Sequence, residues 1–288
     1  MRGRITKGTG GFYYVNDENG RSYECKACGR FRNENIKPVC GDLVDFTARQ
    51  GEYGFIENIL PRMNVLSRPA VANIDILLIV VSAQKPHIDF MLVDKLLLQA
   101  QREGIRPVLC VNKTEAGLKA AREIERQYAA YDVLLVSAHE KTGLAALKEL
   151  LFGKFVCFTG QSAVGKSSLI NVIGAEKELE VGGMSKKTAR GRHTTRTTEL
   201  LYLPEYKAYV FDTPGFSMFD TKGVAREGLA GYYKEFAPYA GLCRFAGCAH
   251  NKEPDCAVKR AVEEGKIDEK RYQRYLKLLE SFEGKENG

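Results

Sequence analysis

Between an apolar, strand-like run at 155–159 and a helix-like stretch from Ser167 to Ile173, the chain reads Gly160-Gln161-Ser162-Ala163-Val164-Gly165-Lys166-Ser167, with Ser168 directly behind. Two glycines flanking four residues let a backbone curl until successive N–H groups converge on phosphate oxygens. The helix start adds free N–H groups and partial positive charge. In this pattern Lys166 reaches the β- and γ-phosphates and the Ser167 hydroxyl is placed to ligate Mg²⁺. Gln161, Ser162, Ala163, Val164 and Ser168 complete the cradle. A chance Gly-rich turn would not require the strand before it and the helix after it. A second cluster reads Cys243-x₄-Cys248-x-His250-x₅-Cys256. Four thiol or imidazole groups this close suit a closed tetrahedral Zn²⁺ site with no open position, hence a structural one. A cysteine-rich helical hairpin without metal is the alternative.

Other candidate groups stand where apolar strands end. The strand Pro107–Val111 runs into Asn112-Lys113-Thr114-Glu115, and Val133–Val136 into Ser137-Ala138. In open α/β sheets ligands sit beyond the carboxyl ends of strands. Asn-Lys-x-Asp is the guanine-reading motif of GTPases, in which the carboxylate accepts from the base; here Glu115 keeps the charge on an arm one methylene longer. A Gly-rich, basic loop spans 182–196, and Thr195 within it is placed to close on Mg²⁺ and the γ-phosphate. The strand Lys207–Phe211 then ends in Asp212-Thr213-Pro214-Gly215. Asp212 would face the Mg²⁺ water shell, and the Gly215 N–H would sense the γ-phosphate.

The elements that must position these groups fall into three parts, as 288 residues allow. Residues 1–66 predict an all-β, OB-like barrel, from short alternating runs at 11–15, 21–25, 42–48 and 54–60 separated by turn residues. Its first 37 residues carry eight Lys or Arg against four acids, interleaved with Phe12, Tyr13, Tyr14, Tyr23 and Phe31. Such a mixture suits RNA binding, or else a barrel whose aromatics are core and whose cations are solvated. Residues 61–69 read as a linker. From 70 to 222 strands alternate with helices, with strands expected at 76–82, 107–111 and 133–136 and an amphipathic helix at 89–103 carrying Phe90, Val93, Leu97 and Ala100. That pattern predicts a parallel sheet covered on both faces. Residues 223–288 hold the Cys/His cluster and two helices, 256–264 and 268–282. The basic residues there, from Lys259 to Lys277, form a solvated face or an RNA-contacting one. No apolar run is long enough for a membrane span, and the basic N-terminus has no apolar segment behind it. A cytoplasmic monomer with no membrane partner is expected, its eight cysteines serving as ligands or core. The net charge of +7 permits a polyanionic partner without requiring one.

Most GTPases carry these motifs with the phosphate loop first. Here Asn112–Glu115 and Ser137-Ala138 precede Gly160–Ser167, Thr195 and Asp212–Gly215. This order is a circular permutation, which leaves the sheet and its strand-end loops in place. With the barrel before it and the Cys₃His spacing after it, the chain resembles the ribosome small-subunit-dependent GTPase A family (RsgA, also called YjeQ) over residues 1–282. The resemblance implies a three-part protein: an OB-like barrel, a circularly permuted α/β P-loop GTPase domain and a helical zinc module. It implies GTP and GDP as ligands, and the small (30S) ribosomal subunit and its rRNA as partners in late subunit assembly. It also suggests that His193 positions water, since apolar Phe216 stands where many GTPases hold a glutamine; contact of His193 with RNA is the alternative. Two other classes fit parts of the sequence, an RNA-binding scaffold with vestigial nucleotide binding and an ATPase.

Overall fold

The computed structural model describes residues 1–34, 36–48, 53–174, 198–212 and 225–283. Its N-terminal part is five strands: β1 (Arg2–Thr9), β2 (Phe12–Asp17), β3 (Ser22–Ala27), β4 (Leu43–Thr47) and β5 (Gly54–Ile59), with a short helix α1 (Gly29–Asn33) between β3 and β4. They pair in the order β1-β2-β3-β5-β4, and β4 returns to β1, which closes the barrel. Period-two alternation sends Ile5, Val15, Cys25, Val44, Phe46 and Ile56 inward, all fully buried. The part is not wholly β, because Phe31 on α1 is buried in the same core. Tyr13 and Tyr23 also pack against that core. Strand β1 escapes a sequence reading because cations and glycines alternate with its single core residue, Ile5.

The segment expected to be a linker is a hairpin, β6 (Val65–Ser67) and β7 (Ala70–Ala72). Leu66 and Val71 are buried in the core of the α/β part. Side-chain amides close the hairpin: Asn64 Nδ2 donates to the Ile74 carbonyl at 2.8 Å and its Oδ1 accepts from the Ile74 N–H at 2.9 Å.

The α/β part follows the expected alternation: β8 (Ile76–Ser82), α2 (Phe90–Arg102), β9 (Arg106–Asn112), α3 (Leu118–Gln127), β10 (Asp132–Leu135), α4 (Leu144–Leu151), β11 (Phe155–Thr159), α5 (Lys166–Gly174), β12 (Glu199–Leu203) and β13 (Ala208–Asp212). Strand order is β10-β9-β8-β11-β13-β12, parallel except for β12. Every residue of β8 is buried, as a central strand covered on both faces requires. One face packs on α2 and α3 through Leu92, Leu96, Ala121 and Ile124; the other packs on α4 and α5 through Leu147, Leu151, Leu169 and Ile173. The sheet does not stop at β12. The Lys7–Glu199 pairing joins β1 to β12, and the barrel and α/β strands make one sheet. Arg4 anchors the join, donating to the Gly41 carbonyl at 2.8 Å with its guanidinium 4.0 Å from the Phe155 ring centre.

Two 3₁₀ turns, Arg226–Tyr232 and Lys234–Tyr239, lead into the C-terminal part, where α6 (Ala257–Glu263) and α7 (Glu269–Glu283) follow the Cys/His cluster. Leu229, Tyr233, Phe236, Val258, Tyr275 and Leu279 form its core, and Leu98 of α2 joins them. Helix α2 is therefore apolar on two sides, facing the sheet with Leu96 and Leu97 and the C-terminal core with Leu98. It is a buried helix where a one-faced one was expected. The basic run of α7 is likewise corrected at two positions: Arg271 is 1% exposed, and both it and Arg274 are paired with the fully buried Asp94 of α2. No helix among the described residues is long and apolar enough to cross a membrane.

Candidate functional site

The phosphate loop leaves β11 at Thr159 and enters α5 at Lys166. Gly160 has φ +126°, and a Cβ there would lie 2.1 Å from the Val80 carbonyl oxygen; at Gly165, φ +99°, a Cβ would lie 2.3 Å from Asn112 Nδ2. Both positions require glycine for conformation and for space. The Lys166 ammonium folds back over the loop and donates to the Gly160 and Gln161 carbonyls at 2.8 and 2.6 Å. Burial holds its pKa below the ordinary lysine value, and the nearby Asp212 carboxylate works against that. Asp212 ends β13, the parallel neighbour of β11, which sets that carboxylate beside the loop.

Asn112 ties three loops together. It ends β9 and is buried; its Nδ2 donates to the Val164 carbonyl at 3.0 Å and its Oδ1 accepts from the Ala138 N–H at 3.1 Å. Lys113 takes a left-handed conformation, φ 64°, and its ammonium donates to the Lys85 and Ala163 carbonyls at 2.7 and 2.9 Å. Glu115 lies exposed in the 3₁₀ turn Thr114–Ala116. Ser137 is buried, and its hydroxyl accepts from the Glu140 N–H at 2.9 Å. The structure thus brings Asn112, Lys113, Ala138, Gly160, Gln161, Ala163, Val164 and Lys166 into one bonded group. Ser162, Ser167 and Ser168 are exposed at its rim. Thr195, His193 and Gly215 lie outside the described residues.

One contributor was missed. The loop after β8 reaches the same place, since the Gln161 side chain accepts from the Asp89 N–H at 3.0 Å and donates to the His87 carbonyl at 3.3 Å. The rule that ligands gather beyond strand carboxyl ends points to residues 83–89 as much as to the other loops. No motif marks them.

Cys243, Cys248, His250 and Cys256 place one ligand atom each within 4.8 Å of one another. Cys243 Sγ lies 3.8 Å from Cys256 Sγ and 3.6 Å from His250 Nδ1, and His250 Nδ1 lies 3.4 Å from Cys256 Sγ. A tetrahedron with Zn–S about 2.3 Å and Zn–N about 2.0–2.1 Å has edges of about 3.5–3.8 Å, so the residues fit a zinc ion. The His250 and Ala257 N–H groups donate to Cys248 and Cys243 sulfur, both at 3.4 Å. Burial pushes the Cys248 thiol up to about 12. It acts on Cys243 too, but the Ala257 N–H and neighbouring thiols hold that thiol below its ordinary value. A cation at the centre would reverse the cost of charging Cys248.

Comparison with known proteins accords with this geometry. Residues 59–222 match the family model of the RsgA GTPase, and residues 2–56 that of the RsgA N-terminal domain. The chain belongs to the RsgA GTPase family. A relative from Ruminiclostridium cellulolyticum, the small ribosomal subunit biogenesis GTPase RsgA, is 45% identical over 97% of this chain and 93% of its own. The same-named protein of Caldanaerobacter subterraneus subsp. tengcongensis is 43% identical over 99% and 97%. Among solved structures, YjeQ from Thermotoga maritima aligns with a TM-score of 0.84 at 36% identity, covering 99% of both chains. YloQ, described as a circularly permuted GTPase, aligns with a TM-score of 0.78 at 31% identity over 98% of this chain and 95% of its own. The resemblance read from motif order and Cys/His spacing is borne out in family, fold and GTPase activity.

Proposed function

We propose that this chain is a cytoplasmic GTP hydrolase whose nucleotide state controls its hold on the small ribosomal subunit during late assembly. The observation that carries the reading is the tie made by Asn112, which holds a base-reading loop, the Ser137-Ala138 loop and a phosphate loop together at one sheet edge. A nucleotide needs base and phosphate contacts at once. In this reading Asn112, Lys113, Glu115, Ser137 and Ala138 bind guanine, and the loop from Gly160 to Ser168 binds the phosphates. Lys166 leaves its two loop carbonyls for the β- and γ-phosphates. Ser167 and Thr195 are the residues that would hold Mg²⁺, with Asp212 behind its water shell; the ion supplies charge neutralisation on the phosphates. Gly215 senses the γ-phosphate, and His193 orients the attacking water that Phe216 cannot.

The work divides among residues 1–66, 70–222 and 223–288. Zinc on Cys243, Cys248, His250 and Cys256 would hold the C-terminal unit in shape, and the chain acts as a monomer. rRNA contact is shared by the C-terminal unit and the barrel. On the barrel it narrows to Phe12, Lys26, Tyr53 and Phe55. The Phe12 and Tyr53 ring centres are 4.9 Å apart, and the Lys26 ammonium lies 5.0 and 4.7 Å from them. Tyr53 and Phe55 are nearly half exposed. Rings beside a cation serve base stacking and backbone contact together. The test is GTP turnover by the purified chain with and without small ribosomal subunits, with ATP as competitor. Slow turnover that the subunit stimulates and ATP leaves unaffected is expected; no turnover under either condition, or equal competition by ATP, contradicts the reading.

A further inference from the structure

Helix α7 touches both helix α2 and the Cys/His cluster within residues 271–275. Arg271 and Arg274 of α7 each reach the Asp94 carboxylate of α2 at 2.6 Å, one on each oxygen. Arg271 also holds Glu235 at 2.6 Å, and Tyr128 donates to Asp94 at 2.5 Å. On the neighbouring face of the same turn, the Tyr272 and Tyr275 hydroxyls donate to the His250 and Ala249 carbonyls, both at 2.7 Å. Those two carbonyls belong to the metal knuckle.

The N-terminal end of α2, just over one turn from Asp94, leads to the phosphate loop. The Asp89 carboxylate caps α2 by accepting from the Leu92 N–H at 3.0 Å. The N–H of Asp89 in turn donates to the Gln161 side chain, which also grips the His87 carbonyl. The Gln161 carbonyl is one of the two groups that hold Lys166. Hydrogen bonds and ion pairs, with α7 and α2 between them, thus link the knuckle through Tyr272, Tyr275, Arg271, Arg274 and Asp94 to the phosphate loop. A solvent-facing α7 would need none of this. An Arg–Asp–Arg cluster with a fully buried carboxylate fixes the register of α7 on α2, because any shift leaves charge buried and unpaired.

We infer that residues 271–275 couple the metal knuckle to the phosphate loop, so that docking of the subunit on the C-terminal unit bears on Lys166 through α7 and α2. The inference rests on the proposed function, and it names these as positioning residues: none touches nucleotide or metal. Arg274→Gln removes the hydrogen-bonded arm on Asp94 and leaves Arg271 in place, weakening the link at the α2 end; Tyr272→Phe with Tyr275→Phe cuts it at the knuckle end while keeping both rings in the core. Each variant is measured as the full-length protein for metal content, basal GTP turnover, subunit affinity and subunit-stimulated turnover. Metal content, basal turnover and subunit affinity should stay near wild type, and stimulation should fall by at least about fivefold, the lower range of measured allosteric couplings. Cutting both ends together should cost no more than cutting one, since both lie on a single route. Arg274→Lys, which keeps a cation on Asp94, should recover part of the stimulation. Unchanged stimulation in the cut variants overturns the inference. So does a parallel fall of basal and stimulated rates, which would mark the residues as merely structural. A wild-type protein that the subunit does not stimulate would overturn the proposed function first, and this inference with it.

Discussion

The nucleotide end and the metal knuckle solve the same problem, holding several groups on one point, by opposite means. The knuckle draws its four ligands from fourteen consecutive residues, and hydrogen bonds from its own N–H groups set the sulfurs. The nucleotide end draws on loops from Lys85 to Asp212 and depends on the stretch of chain that holds β9 to β13 to bring them together. A local site draws much of its folding free energy from its ion. A distributed one is built by the sheet before any ligand arrives, and a side chain such as Asn112 has to stitch its loops. The difference teaches where each is fragile: the knuckle in its ligands, the nucleotide end in its scaffold and its stitches.

The largest effect should come from the local site. Cys248→Ser should abolish stoichiometric zinc and unfold the C-terminal unit, because structural zinc contributes on the order of 10 kcal/mol of folding free energy in small modules. Metal analysis and thermal unfolding report it. If GTP binding disappears along with the knuckle, the two regions are not built independently and the comparison breaks. Next comes Lys166→Ala. It removes a cation shared between two phosphates, worth ~2–3 kcal/mol, so GTP affinity or turnover should fall about a hundredfold. An unchanged rate in a contaminant-free preparation would remove the phosphate loop from the account. Glu115→Ala is smaller, since the carboxylate is exposed and its arm long. The preference for GTP over ATP should fall about tenfold, ~1.4 kcal/mol, measured by competition. A wild type with no preference to lose would show that the distributed site does not read guanine.

The smallest effect concerns the contact between the two regions. Glu123 of α3 accepts from Arg126, Lys270 and Gln127, which hold its pKa down at about 2. A carboxylate whose folded pKa is depressed adds stability above its unfolded value, near 4.3, and loses it as pH falls toward about 2. The group is exposed and screened by solvent, so the gain is slight. Glu123→Gln should flatten the acid limb of a stability–pH profile between those values and leave neutral pH nearly unchanged. An unaltered acid limb would mean that this contact adds nothing to the joining of α3 and α7.

What the sequence made legible follows the same division. The Cys/His cluster is readable from spacing alone, because a tetrahedron of fixed size constrains nearby residues. The α/β alternation is readable from β8, whose six consecutive apolar residues admit no solvent-facing side. The distributed site needed motif order, and Lys85, His87 and Asp89 stayed hidden because they contribute backbone groups that any residue could offer. Tertiary contact also hid the role of α7: Arg271 and Arg274 look like any solvated basic face until Asp94, far off in sequence, is placed beneath them. Hairpin 65–72 is hard to read from sequence because Pro61 and Pro69 punctuate the segment and its buried residues, Leu66, Val71 and Ala72, make no alternating run.

In the proposed function, nucleotide state at the distributed site governs the hold on RNA. The most direct test is the affinity of the chain for the small ribosomal subunit, measured at one fixed salt concentration with a non-hydrolysable GTP analogue and then with GDP. Tighter binding with the analogue is expected, with affinities in both states that weaken steeply with added salt. Equal affinity in the two states would contradict the proposed function, even with GTP binding and hydrolysis intact.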